Sequence, residues 1–428
     1  MKRNILILFM SMTVTAIMAN PLLGKYKTPY GTIPFNSIET KHYLPAFEHA
    51  MKIHLAEVDK ITNNKQKPTF ENTIVALEQA GNLLSQVSSP FYNLLSAETN
   101  DELQEIAEKV SPLMSEHYNA ISLNEKLFAR VKAVYEMRDQ LKLNVEDARL
   151  LQKTYDSFAD NGANLSESDK AIYRELSKEL SMLTLQFGQN VLKETNNWNL
   201  LIADKELLAG LPQDVLDMLA MNAKNAGKDG WLLNLKATTY IPFMKYAANR
   251  DLRRELYLAY STRSMNGGEY DNREIIRNIV NTRLKIANLL GHKSYADQVL
   301  VHRMAENKDN VYKLLDDLLK AYYPYAVKEV EAVQAYADSK GAYFKIQPWD
   351  WSFYAEKLKD EKYALNDELL KPYFELEHVK KGVFELAIRL FGLQFIKNDN
   401  IQKYHPEVDV YEVKDKNGKF LSVLYTDF

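Results

Sequence analysis

The chain has 428 residues, 46% of them hydrophobic, with 54 Lys and Arg against 57 Asp and Glu. That composition excludes an intrinsically disordered chain, and the length predicts roughly two to three domains with a sizeable core. A net charge of −3 gives no basic field for nucleic acid or for an anionic membrane surface. The absence of cysteine rules out disulfides and a lipoprotein anchor.

Met1 to Ala19 places Lys2 and Arg3 before an apolar run from Ile5 to Ala19, the pattern of a secretory signal peptide. The run is shorter than the ~20 residues that span a bilayer comfortably. The expected protein is therefore exported, periplasmic or secreted, and free of the membrane after cleavage. Residues 20–38 carry three prolines and two glycines and read as an extended lead-in.

Helical periodicity then dominates. Leu44, Phe47, Met51, Leu55, Val58 and Ile61 form one apolar stripe. Thr69 is positioned to cap the next helix, with Ile74, Leu77, Leu84, Val87 and Phe91 facing inward. Thr99 with Glu102 suggests a capping box ahead of Leu103, Ile106, Val110 and Leu113. Ser166 with Asp169 opens a long helix whose Ile172, Leu176, Leu180, Leu183, Phe187 and Val191 share a side. Trp198–Ala203 and Trp231–Thr239 contain short β-friendly runs that can pair as a ribbon.

The stretch from Asn249 to Asn307 reads as helix, glycine loop, helix, turn, helix. Asn249 caps the first, with Leu252, Leu256 and Ala259 on one face. The arginines at 250, 253 and 254, interleaved with Asp251 and Glu255, read as a solvated, ion-paired surface. Gly267 and Gly268 break the chain, Asp271 and Glu274 suggest a capping box, and Ile276, Val280, Leu284 and Ala287 form the second apolar face. Gly291 stands where a glycine ends a helix. Asp309–Ala337 is helical, with Val311, Leu315, Leu318 and Tyr322 inward, and Tyr322, Tyr323 and Tyr325 expected in the core. Val408–Asp427 alternates on either side of Asn417-Gly418, a hairpin signal. The fold class is mainly α, a multi-helix lobe with minor β: a ribbon near 198–239 and a hairpin near 408–427.

The wording of several segments is more specific than their periodicity. R-x-x-Y-x-A-Y-x-x-R from Arg254 to Arg263, LLGHKSYAD, PTFENTIVALEQAG (68–81), LNEKLFARV (123–131), PWDWSFYAEKL (348–358) and LLKPYFELEHVKKGVFELAIRLFGLQF (369–395) together resemble the M3 family of zinc metallopeptidases, its peptidyl-dipeptidase and oligopeptidase A branch above all. With the signal peptide over 1–19 set apart, the expected organisation is an N-terminal helical region over 20–240 and, as the resemblance implies, the beginning of a peptidase domain over 241–428. It implies short peptides as substrates and a monomer. In that family two histidines of an H-E-x-x-H helix and a later carboxylate hold zinc, and the intervening glutamate is the general base.

None of the eight histidines stands in such a motif. The expectation is therefore an N-terminal part truncated before H-E-x-x-H, with zinc in the complete family enzyme, none bound by this chain, and no catalytic, cofactor-binding or metal residue assignable to a position here. Glu39-x-x-His42, Glu375-x-x-His378 and His54-x-x-Glu57 have spacings seen in metal sites, but surface or cap roles account for them. The sequence lacks G-x-S-x-G and a phosphate-binding glycine loop. The alternative function is a non-catalytic peptide- or partner-binding helical module, or a gene remnant in which helices such as Leu369–Phe395 expose apolar surface.

Overall fold

The computed structural model describes residues 20–364 and 367–428. The expected leader, residues 1–19, lies outside them. In chain order the main elements are α1 (Tyr43–Thr62), α2 (Asn82–Ala97), α3 (Asp101–Ser122), α4 (Glu125–Glu136), α5 (Val145–Asp160) and α6 (Glu167–Asn197). There follow β1 (Asn199–Ile202), α7 (Gln213–Asn225), β2 (Trp231–Asn234), α8 (Ala237–Tyr246), α9 (Arg250–Ser261), α10 (Arg273–Leu289) and α11 (Tyr295–Leu300). The chain ends with α12 (Lys308–Ser339), α13 (Pro348–Tyr363), α14 (Leu376–Phe391), β3 (Gln394–Lys397), β4 (Asp409–Lys414) and β5 (Phe420–Thr426). Mainly α with minor β is the observed class. No helix among the described residues is long and apolar enough to cross a membrane.

The chain divides into two compact units, and the boundary falls within α6. Among the described residues the first holds 20–185, 289–291 and 376–428. Its interior begins with α1, whose stripe is inward as the periodicity requires: Phe47 and Met51 join Leu84, Val87 and Phe91 in one cluster, and Val58 and Ile61 join a second with Ile74, Leu127 and Val131. Thr69 and Asn72 cap each other reciprocally, at 3.1 and 2.9 Å. Thr69 to Phe91 is not one helix, however. Six residues form a π-type turn, and Gly81, at φ +80°, breaks the chain before α2. The α3 cap is Asn100, whose side chain accepts the Leu103 N–H at 2.9 Å; Glu102 instead accepts from Thr40 Oγ1 at 2.6 Å, so the expected Thr99–Glu102 box does not form.

The 408–427 hairpin forms with Gly418 at φ +83°, and the Asp415 carboxylate accepts the N–H groups of Asn417 and Lys419. A third strand, β3, adds antiparallel to β4. On α14 the residues Val383, Leu386, Leu390 and Phe391 are all exposed.

In the second unit β1 and β2 pair antiparallel, from Asn199 opposite Asn234 to Ile202 opposite Trp231. The second run stops at Asn234 rather than Thr239, because the Asn234 side chain accepts the Lys236 N–H and turns the chain into α8. The ribbon, α7, α8 and α9 share a core of Leu208, Leu219, Leu233, Phe243 and Leu256.

Four further expectations are corrected here. Asp271 accepts from the N–H groups of Gly267 and Arg273 rather than closing a box with Glu274, and Asn272 leads into α10 with its carboxamide donating to the Phe187 carbonyl. On α10 the buried column is Ile275, Ile279 and Ile286, while Ile276, Val280 and Leu284 are 41, 58 and 40% exposed. This helix carries apolar residues in two columns one residue apart, so periodicity alone cannot choose between them. On α6 the stripe is half-buried in its middle, but Ile172 and Phe187 are exposed. On α12, Tyr322, Tyr323 and Tyr325 are 66, 62 and 66% exposed, not core.

Gly210 sets the close approach of the α8–α9 connection. It holds φ +92°, and a Cβ there would lie 2.4 Å from the Tyr246 carbonyl oxygen. Gly210→Ala is expected to destabilise the chain by about 2 kcal/mol or more, combining left-handed strain with a backbone clash that cannot be relieved by a rotamer; urea unfolding followed by circular dichroism measures it.

Candidate functional site

The most desolvated charges in the second unit sit where α9 meets α13. Asn249 caps α9, accepting the N–H groups of Asp251 and Leu252 at 3.1 Å each, and this first turn points Arg250 and Arg253 at Asp350. Asp350 lies in the first turn of α13, behind Pro348, and also accepts the Gln347 N–H at 3.0 Å. Arg250 grips it with two nitrogens, Nε to Oδ1 at 3.0 Å and Nη2 to Oδ2 at 2.8 Å; Arg253 Nη2 reaches Oδ1 at 3.0 Å. The remaining Arg253 donors go to the carbonyls of Ala247, Ala248 and Trp349. Phe344 and Phe353 stack beneath the two guanidiniums at 4.0 and 4.2 Å.

The expected solvated arginine face is thus corrected. Arg253 is 1% and Asp350 0% exposed, and their partner lies about a hundred residues away in sequence rather than one turn along the helix. Burial pushes the Asp350 carboxyl up, but hydrogen bonds from Arg250, Gln347 and Arg253 outweigh it and hold the group below the usual carboxylate range.

In the first unit, sequence reasoning missed a histidine pair. His54 on α1 and His117 on α3 approach to 2.9 Å between Nδ1 and Nε2. Both fall on the apolar stripes of their helices, three or four residues from Met51 and Val58 for His54 and from Leu113 and Met114 for His117, which was the available signal. Burial and the neighbouring His54 pull the His117 imidazole down to about 4; burial likewise lowers His54, against the opposing charge of Glu57. The Glu57 carboxylate is spent on the Gly81 N–H at 2.8 Å.

The other nominated pairs are placed as follows. The Glu39 N–H donates to His42 Nδ1 at 2.9 Å, a cap on a single 3-10 turn. Glu375 and His378 are exposed at the start of α14. Among the described residues no group of three or more His, Asp or Glu side chains converges as a metal would need. The histidine pair does not fit zinc, since its two nitrogens bond each other directly and the nearest carboxylate is already engaged.

Both units carry surface clefts. One of about 310 Å³ in the first unit is lined by Glu39, Tyr43, Glu98, Lys403 and Tyr404 among others. Two of about 200 and 320 Å³ lie in the second unit, beside Lys245 and Glu356 and beside Asn199 and Asn222. None of the three has a histidine in its lining. The described residues build a scaffold of capped helices and buried ion pairs.

That scaffold has known relatives. Residues 243–428 match peptidase family M3. Over 411 residues the chain is 39% identical to the dipeptidyl carboxypeptidase of Escherichia coli K12, covering 96% of this chain and 60% of that protein. It is 32% identical over 417 residues to oligopeptidase A of the same organism, with the same coverage, and 30% identical over 419 residues to an organellar oligopeptidase A of Arabidopsis thaliana, covering 52% of it. The chain therefore spans about three-fifths or less of the length of these relatives. The chain is thus homologous to peptidase family M3, whose model matches residues 243–428.

Two outcomes are expected from the buried groups. Asp350→Asn leaves two guanidiniums without their counter-charge and should cost about 3–5 kcal/mol of stability, read from denaturant midpoints. Because the folded His117 pKa lies below its ordinary 6.5, stability is complete above pH 6.5 and falls as pH drops toward 4. The Tm of His117→Leu should fall less than that of the wild-type chain across this window.

Proposed function

We propose that this chain contributes the N-terminal scaffold of an exported zinc metallopeptidase of the peptidyl-dipeptidase type, which releases dipeptides from the carboxyl ends of short peptides. The observation that carries this reading is 39% identity to a dipeptidyl carboxypeptidase over nearly the whole chain, against 32% to oligopeptidase A. The zinc ligands and the general base belong to sequence outside residues 1–428, since no H-E-x-x-H occurs in it. Zinc, when bound by such a site, polarises the scissile carbonyl and acidifies its water. The residues present here hold the helices that flank the site.

Three consequences are proposed with it. The chain alone has no zinc-dependent peptidase activity, it is a monomer, and the leader is removed after Ala19. A purified sample incubated with a tetrapeptide bearing a free carboxyl terminus should release no dipeptide, with or without added zinc, and should retain no stoichiometric zinc on dialysis. Chelator-sensitive dipeptide release by residues 20–428 would refute the assignment of the catalytic groups to sequence elsewhere. Amino-terminal sequencing of the protein recovered from expressing bacteria should begin at Asn20; retention of Met1 would remove the export reading.

A further inference from the structure

Two imidazoles meet inside the first unit in a way that accommodates their own two ring protons and no third. His54 Nδ1 on α1 and His117 Nε2 on α3 stand 2.9 Å apart, and His117 Nδ1 is buried without a partner. A neutral pair carries two protons on four nitrogens, and one of them must lie in the contact. If His54 Nδ1 carried it, His117 would hold its own proton on Nδ1, a buried N–H with no acceptor. The pair escapes that cost in one arrangement: His117 donates from Nε2, and His54 accepts at Nδ1 and keeps its proton on Nε2.

A further proton has no good place. On His54 Nδ1 it removes the acceptor and sets two N–H groups head to head. On His117 Nδ1 it buries a charged donor that nothing accepts. The groups facing the pair from the packed helices do not offset this. Glu57 of α1 favours a proton on His54 by its charge, but its carboxylate accepts the Gly81 N–H at 2.8 Å. The Tyr118 ring of α3 lies 5.4 Å from the His117 ring, with Tyr92 of α2 near it; burial raises both phenols, so both stay neutral. Gly81, the cap of α2, sits directly on the His54 ring, where a Cβ would lie 2.7 Å from Cε1. Any movement of that ring is therefore felt at the first turn of α2.

We infer that the His54–His117 contact is an acid-released latch, in which uptake of one proton breaks the N–H···N bond, parts α1 from α3 and loosens the first turn of α2. The resting tautomers are measured first, on the full chain carrying nitrogen-15 histidine. Long-range nitrogen–proton spectra at about pH 7.5 should show both rings protonated on Nε2; a proton on His117 Nδ1 overturns the latch. Amide exchange corrected for its intrinsic pH dependence should then quicken ~10-fold or more over 51–58, 82–88 and 114–121 on going to about pH 4.5, with 250–256 unchanged. Unchanged protection at the three helices counts against the inference, and so does an equal loss over 250–256, which would be general acid unfolding. His54→Gln keeps an oxygen to accept from His117 Nε2 yet takes up no proton there, so it should hold its protection over this window. Opening of that variant in step with the wild-type chain refutes the role given to His54; should it not fold, the wild-type spectra and exchange decide by themselves.

Discussion

A carboxylate with no solvent exposure, Asp350, sets the terms for the second unit. Removing a carboxylate and a guanidinium from water costs several kcal/mol per ion unless nearly every donor and acceptor is met. Here partners are supplied densely: two guanidiniums and a backbone amide serve Asp350, and three carbonyls accept further Arg253 donors. Those carbonyls belong to the α8–α9 connection and to the start of α13. Three elements must therefore be correctly placed at once, and a register slip in any of them strands a buried charge. The hydrophobic core of Phe243 and Leu256 supplies the area term, and it tolerates small shifts that the fixed hydrogen-bond geometry of the ion cluster does not.

Smaller versions of the same device hold the first unit. Arg130, nearly buried, donates to the carbonyls of Asn64 and Gln66 and to the Asn72 side chain, tying α4 to the loop ahead of the π-type turn. Lys170 at the start of α6 sits between Glu125 and Glu167. The Glu carboxylates are mostly exposed, so each pair is worth little alone. Their use is to orient a lysine stem that is itself buried among the helices.

This explains what the sequence made legible. The segments whose wording carried the family resemblance turn out to be caps and anchors: Thr69 and Asn72 in PTFENT, Asn124 and Arg130 in LNEKLFARV, Pro348 and Asp350 in PWDW. Such residues have little freedom to vary because each answers a specific orphaned backbone group or buried charge. Periodicity also placed α1, the ribbon and the hairpin. It failed for Arg253 because a helix face of mixed charges looks the same whether its partner is one turn away or a hundred residues away. It failed for His54 and His117 because a contact across 63 residues leaves only the weak trace of a polar residue on an apolar stripe.

The exposed faces of α10, α12 and α14 test the logic of pattern reading from the other side. On α12 the amphipathic period was read correctly and the burial was not, since an apolar arc states that a helix expects a neighbour without stating which chain segment provides it. Intrinsic propensity cannot sustain this helix in water, because Pro324 stands within it and three β-branched valines, Val311, Val327 and Val330, lie along its exposed length. A helix of such composition draws most of its stability from packing of its apolar side.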